Sequence, residues 1–234
     1  NKKIIIGSRG SKLALIYAQK AKEEIVKKSY LKDEDIFIKE ITTKGDQFQN
    51  VRLSEVGGKG LFSSSIEREL QDKKIDVAVH AFKDLPAVMD DRLEISAVLK
   101  RNDPRDCYIG TLFPHAKVGT GSPRRIAQLK ENFNVEFEIL PIRGNIDTRI
   151  KKLEQGKYDA IILAVAGLEA LNLDHKIKKI FPFSKMLPCV GQGVIAIQTR
   201  KGSSHSDVAK LNNHWNTYYS VMAERAMLQE IDGD

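Results

Sequence analysis

The chain has 234 residues, 41% apolar and 29% charged, with a formal net charge of +7, which suits one large or two ordinary folded domains and excludes a disordered chain. No apolar run approaches the ~20 residues of a membrane-spanning helix, so no membrane partner is expected. The positive charge would suggest nucleic acid, but no basic stripe interleaved with aromatic residues accompanies it, and no nucleic-acid partner is expected either.

Residues 4–6 read as a strand running into Gly7-Ser8-Arg9-Gly10-Ser11. It begins so early that a signal peptide has no room, and the missing initiator Met places the natural start a little upstream. Leu13, Tyr17, Ala21 and Ile25 recur every four residues and predict a helix over 11–28, with Ser11 able to cap it. Gly57-Gly58-Lys59-Gly60-Leu61 fails as a phosphate loop, because Gly60 stands where Ser or Thr should follow the Lys. It reads equally well as a glycine loop holding Lys59 near an anion and as a plain surface turn. Phe62, Ile66 and Leu70 predict a second helix. Residues 75–79 then form an apolar strand that runs into His80-Ala81-Phe82-Lys83-Asp84. His80, a lone histidine at a strand end, reads as structural. Asp84 has three open tasks: a salt bridge, general acid/base work, or stabilising a cationic substrate. Residues 93–99 predict another strand, and the turn chemistry of 100–104 marks a domain crossing.

The second half repeats this plan. A strand at Val118 runs into Gly119-Thr120-Gly121-Ser122-Pro123-Arg124-Arg125, with Ser122 as helix cap and Pro123 at the first helical position. Two arginines in a first helical turn oppose the helix dipole, which a bound anion would explain. Residues 137–140 run into Pro141-Ile142-Arg143-Gly144-Asn145, and Ile146, Ile150 and Leu153 predict a helix closed by Gly156. Residues 160–166 are nearly all apolar, as in a parallel strand buried on both faces. Residues 194–199 make a returning strand, and 207–231 read as one helix with His205 and His214 exposed. Cys107 and Cys189 have no metal or redox spacing and read as reduced thiols of a cytoplasmic protein. The histidines form no metal-ligand set, and none is expected.

The pattern is α/β. In open α/β folds ligands sit at the carboxyl ends of the strands, and four such ends here carry Arg or Lys. Guanidinium groups collected there point to a ligand with several carboxylates or phosphates.

These residues resemble the porphobilinogen deaminase (hydroxymethylbilane synthase) family over essentially the whole chain. The resemblance rests on Ser8-Arg9-Gly10-Ser11, Val56-Gly57-Gly58-Lys59-Gly60-Leu61-Phe62, Val79-His80 with Lys83-Asp84, and Asn102-Asp103-Pro104-Arg105-Asp106. It continues through Gly119-Thr120-Gly121-Ser122 with Arg124-Arg125, Arg143-Gly144-Asn145 with Arg149, Val190-Gly191-Gln192-Gly193, and Ala223-Glu224-Arg225-Ala226. It implies two domains like those of type II periplasmic binding proteins around a cleft, 1–99 with 194–212 and 100–190. A third α/β domain would begin at 213–234. It also implies a cytoplasmic monomer of the haem pathway, a transferase that deaminates porphobilinogen and joins four units head-to-tail on a covalent dipyrromethane, releasing hydroxymethylbilane. By the same resemblance Asp84 is the catalytic acid. Lys83, Asp84, Thr120, Ser122, Arg124 and Arg125 bind the dipyrromethane. Arg9, Ser11, Lys59, Arg143, Arg149 and Gln192 bind substrate or the growing chain.

Three departures stand out. Ala81 and Glu55 replace a usual Ser and an occasional Lys. The sequence ends at Asp234, just before the Cys that carries the dipyrromethane in the family, with which neither Cys107 nor Cys189 aligns. The expectation is a natural protein that continues, and a chain that is inactive without that Cys. A non-catalytic anion-binding protein of the same fold is the rival reading, and Asp84 discriminates: a carboxylate among cations weakens an anion receptor but serves a cation-forming enzyme.

Overall fold

Two five-stranded mixed sheets, built to the same plan, organise the protein. The structure is a computed structural model that describes residues 3–43 and 62–231. The described chain divides into one unit of residues 3–43, 62–102 and 194–231 and a second unit, Asp103–Gly193.

In the first unit β1 (Ile4–Arg9), β2 (Ile36–Ile41), β3 (Val77–Ala81) and β4 (Leu93–Val98) are joined by a strand from the far end of the sequence, Ile195–Arg200. The order is β2-β1-β3-(Ile195–Arg200)-β4, with β1 parallel to β2 and β3 and the late strand antiparallel to β3 and β4. Helix α1 (Lys12–Lys28) starts where Ser11 Oγ accepts a hydrogen bond from the Ala14 N–H, and it buries Tyr17, Ala18, Ala21 and Ile25. Ser8 Oγ donates to the Ala14 carbonyl at 3.1 Å and so faces α1. Ile5, three residues earlier, packs with Ile66 and Leu70 of α2 (Ser64–Gln71). Strand residues three apart point to opposite faces, so the two helices cover opposite sides of the sheet.

In the second unit the order is β7-β6-β8-β5-β9, from β5 (Asp106–Gly110), β6 (Lys117–Gly119), β7 (Glu138–Leu140), β8 (Ala160–Ala164) and β9 (Lys179–Ile180). Leu129 of α3 (Pro123–Glu131) packs with Ile162, whereas Ile150 of α4 (Ile146–Glu154) packs with Ile161 and Leu163. Neighbouring residues of β8 therefore feed two layers of core. Gly110, at φ +95°, closes against Asp159, whose carbonyl a Cβ would meet at 2.2 Å.

Three expectations are corrected. The strand expected over 160–166 ends at Ala164, where the short helix α5 (Val165–Ala170) begins, and β8 is parallel to β6 but antiparallel to β5. Residues 207–231 are not one helix. After β10, the late strand Ile195–Arg200, the chain forms α6 (Ser204–Lys210), turns, and restarts as α7 (Trp215–Glu230). The break arises because Asn213 and His214 are used elsewhere: Asn213 Oδ1 accepts from the Val98 N–H, and the His214 side chain caps α7. Nor do the two histidines stand out in solvent. His205 lies 3.7 Å from the Asp76 carboxylate, and His214 is half-buried. Helix α7 packs Tyr218, Val221 and Met222 against Phe82, Leu85, Ile95 and Val98 of the first unit.

Candidate functional site

In the first unit the carboxyl ends of β1 and β3 meet the N-terminus of α1. A pocket of ≈ 50 Å³ lies there, lined by Arg9, Ser11, Tyr17, Phe62, His80 and Asp84 among others. That is room for the edge of a ring or a water or two, not for a whole dicarboxylate. Asp84 closes the 3₁₀ turn Phe82–Asp84 that follows β3, where the Leu85 N–H bonds back to the Phe82 carbonyl. The Arg9 guanidinium stacks 4.3 Å above the Phe62 ring, a contact that fixes the direction of the cation. Burial, with the Asp84 charge adding to it, pushes the Tyr17 phenol up to about 12. Tyr17 therefore remains a neutral donor beside the carboxylate.

His80 is buried beneath this pocket and its Nε2 lies 2.9 Å from Gln198 Oε1. Burial pulls its pKa down to about 4, against the partial restraint of that bond. Ala81 lines the same pocket. Lys83 is exposed beside it. Lys59 and Glu55 lie outside the described residues.

In the second unit the anion expected at the α3 N-terminus comes from within the chain. Asp106, fully buried, accepts from Arg124 Nη1 at 2.6 Å and from Arg125 Nη2 and Nε at 2.7 and 3.1 Å. Arg125 Nη1 donates to the Ile162 carbonyl, so each nitrogen of the Arg125 guanidinium has a partner inside the unit. Arg124 spends one nitrogen on Asp106 and on the Leu187 carbonyl, and its other guanidinium edge has no partner among the described residues. Burial opposes ionisation of Asp106, yet the charges and hydrogen bonds of the two arginines outweigh it and hold the carboxyl below its ordinary range. Gln192, expected to touch substrate, is buried and donates to the Pro104 carbonyl and to Asp106. Thr120 is also buried, accepting from the Ser122 N–H, and Ser122 Oγ caps α3 by accepting from the Arg125 N–H.

Arg143 and Arg149 stand on the next loop and helix. Arg149 Nε donates to the Gly144 carbonyl at 2.7 Å. Burial, then the charges of Arg125 and Arg143, pull the Arg149 guanidinium down to about 10. It is still charged at neutral pH, and the direction records burial first and the neighbouring like charges second.

Sequence reasoning missed Asp106 and Tyr17. An Asp at the first position of a buried apolar strand is a signal, because Asp is almost never fully buried unpaired. Tyr17 was legible only as a core position, although a buried phenol brings a polar tip with it. The Cys107 thiol does not suit a covalent attachment: burial pushes it up to about 12, and its Sγ donates to the Leu163 carbonyl.

Residues 4–207 match the family model described as porphobilinogen deaminase, dipyromethane cofactor binding domain. The chain is 41% identical to the porphobilinogen deaminase of Chlorobium phaeovibrioides, with 99% of this chain and 76% of the relative covered. It is 40% identical to that of Clostridium botulinum, with 98% and 80% covered. Among solved structures it is similar to a TRAP periplasmic solute binding protein from Desulfovibrio salexigens, at TM-score 0.52 and 9% identity over 97% of this chain and 79% of that one. It is also similar to the second substrate binding domain of a putative amino acid ABC transporter from Streptococcus pneumoniae, at 0.51 and 13% over 98% of each. These two likenesses show the fold: periplasmic-binding-protein-like type II units.

Proposed function

The chain belongs to the porphobilinogen deaminase family, and from that premise we propose which of its side chains perform the family's reaction. That reaction deaminates porphobilinogen and condenses the units head-to-tail on a dipyrromethane cofactor in tetrapyrrole biosynthesis, releasing hydroxymethylbilane. The observation that supports the assignment is the gathering of Arg143 and Arg149 beside Arg125, whose own charge is already answered by the buried Asp106. Such a cluster is unfavourable by itself and becomes favourable when a polycarboxylate binds.

The donor set fits dipyrromethane. Ser122, Arg143, Arg149 and the outer edge of Arg124 would hold it. When bound it supplies a nucleophilic pyrrole α-carbon and several carboxylates. Arg125, Thr120 and Gln192 act from behind, by fixing Arg124 and the α3 N-terminus rather than by touching ligand.

In the first unit Arg9 and Ser11 bind a carboxylate of porphobilinogen. Asp84 accepts a hydrogen bond from the pyrrole N–H. As the C–N bond of the aminomethyl group breaks, ammonia carries away the bonding pair and positive charge spreads over the ring. A carboxylate at the ring nitrogen stabilises that charge directly. Arginines stay protonated throughout, so they orient carboxylates and take no part in proton transfer.

Arg149→Ala tests the assignment in the second unit. Turnover is expected to fall at least tenfold while the thermal midpoint holds or rises, because like-charge repulsion is relieved. A marked loss of thermal stability in that variant would instead mean that Arg149 is structural. A monomer working in the cytoplasm is the reading the family resemblance implies, and the two free cysteines fit a reducing compartment. A dimer on gel filtration would overturn the first part.

A further inference from the structure

His80 is not a bystander of the Asp84 pocket, and its chemistry follows from a chain of three side chains. Glu67 of α2 accepts a hydrogen bond from Gln198 Nε2 at 2.7 Å. A carboxylate is acceptor-only when ionised, so this contact settles which end of the Gln198 amide faces which way. Gln198 Oε1 must then face His80, and at 2.9 Å it accepts from His80 Nε2. His80 is therefore the Nε2–H tautomer, and Nδ1 carries a bare lone pair. Among the described residues Nδ1 makes no hydrogen bond, although His80 is 6% exposed and lines the pocket together with Asp84, Tyr17 and Arg9. Burial holds the ring neutral at physiological pH. Nδ1 is thus a fixed acceptor and a poor proton carrier.

We propose that His80 is a ligand-reading residue whose Nδ1 accepts a hydrogen bond from an N–H of porphobilinogen in the Asp84 pocket. The inference rests on the reading of that pocket as the porphobilinogen site. The arrangement explains why a polar ring is buried at the end of β3, where an apolar residue would pack more cheaply. A site built around an acceptor leaves that acceptor unpaired when the ligand lacks the matching donor, and this is a strong form of discrimination. Two N–H groups qualify, the aminomethyl group and the ring N–H if His80 shares it with Asp84.

The experiment follows the ring nitrogens directly. In the cofactor-loaded wild-type protein labelled with ¹⁵N-histidine, His80 is expected to show the Nε2–H tautomer. Its Nδ1 resonance should move upfield on adding porphobilinogen, as an imine nitrogen does when it accepts a hydrogen bond. A pyrrole lacking the aminomethyl group separates the donors: a retained shift assigns the ring N–H, and a lost shift assigns the aminomethyl group. No shift with porphobilinogen, or the opposite tautomer, overturns the proposal.

Variants give the second arm. A Gln amide nitrogen reaches the place of Nε2, and an Asn amide oxygen that of Nδ1. His80→Gln should raise KM about tenfold with a smaller change in kcat, the scale of one hydrogen bond, and His80→Asn should recover most of that loss. An unchanged KM in His80→Gln overturns the proposal, and misfolding of both variants leaves the wild-type spectrum to decide. If Asp84→Asn also keeps full turnover, the reading of the pocket has failed. If Asp84→Asn is crippled while His80→Gln is normal, only the role of His80 has.

Discussion

Asp84→Asn is expected to lower kcat by about 10²–10³ while leaving the fold intact. The basis is electrostatic: removing one group aimed at charge that develops in the transition state costs ~3–4 kcal/mol, and each ~1.4 kcal/mol is a factor of ten in rate. Asparagine keeps the size and can still accept a hydrogen bond from a pyrrole N–H, so ground-state binding should change less than turnover. The side chain is half-buried in a short turn, where an isosteric swap leaves the backbone bonds in place. The same substitution separates an enzyme from an anion receptor. Neutralising an acid among cations would tighten carboxylate binding in a receptor and improve its performance. Turnover within threefold of wild type would refute the catalytic assignment, and a collapsed circular-dichroism spectrum would reassign Asp84 to structure.

The second large effect is on stability. Asp106→Ala strands two guanidinium groups, one of them in Arg125, which is only 7% exposed. Breaking a buried ion pair from one side costs ~3–5 kcal/mol, more than the pair itself contributes. At ~2–4 °C per kcal/mol for a chain of this size, the thermal midpoint should drop by about 10 °C. The pH dependence has a definite sign. The folded carboxyl titrates below its unfolded value of about 3.9, so its contribution is complete above that value and is lost as pH falls through the folded pKa. The stability gap between wild type and variant should therefore be wide at neutral pH and narrow below about pH 4. Calorimetry across that range checks both statements. A gap that stays constant on acidification would show that the loss comes from a cavity rather than from charge.

What the sequence revealed, and what it hid, divides by distance along the chain. Ser11 and Ser122 announced their helices because a cap acts on N–H groups two or three residues away. Pro123 and the positive-φ Gly156 likewise mark helix ends by local geometry. The apolar run at 160–164 was legible as a strand, but its mixed pairing was not, since parallel and antiparallel neighbours lie 42 or more residues away. The same holds for the site. Arg124 and Arg125 were recognisable as misplaced cations, whereas the acid that answers them sits 18 and 19 residues earlier. His80 read as a lone structural histidine because its partner is 118 residues distant. The break at Asn213 and His214 belongs to this class too, being imposed by the Val98 backbone.

The strand Ile195–Arg200 has a consequence for how the protein is made. It lies between β3 and β4 in the first sheet, yet the ribosome delivers it only after all of Asp103–Gly193. Until then β4 has no hydrogen-bonding neighbour, whereas the described part of the second unit is one continuous segment, Asp103–Gly193, and can close as soon as it emerges. Maturation is thus out of order, with the later-translated lobe completed first and the earlier one waiting for its last piece. Nascent chains arrested before Val194 should protect backbone amides within residues 103–193 and leave those of β4 exchanging freely. Equal protection of both halves at that stage would show that the first lobe finds another way to cover its open edges.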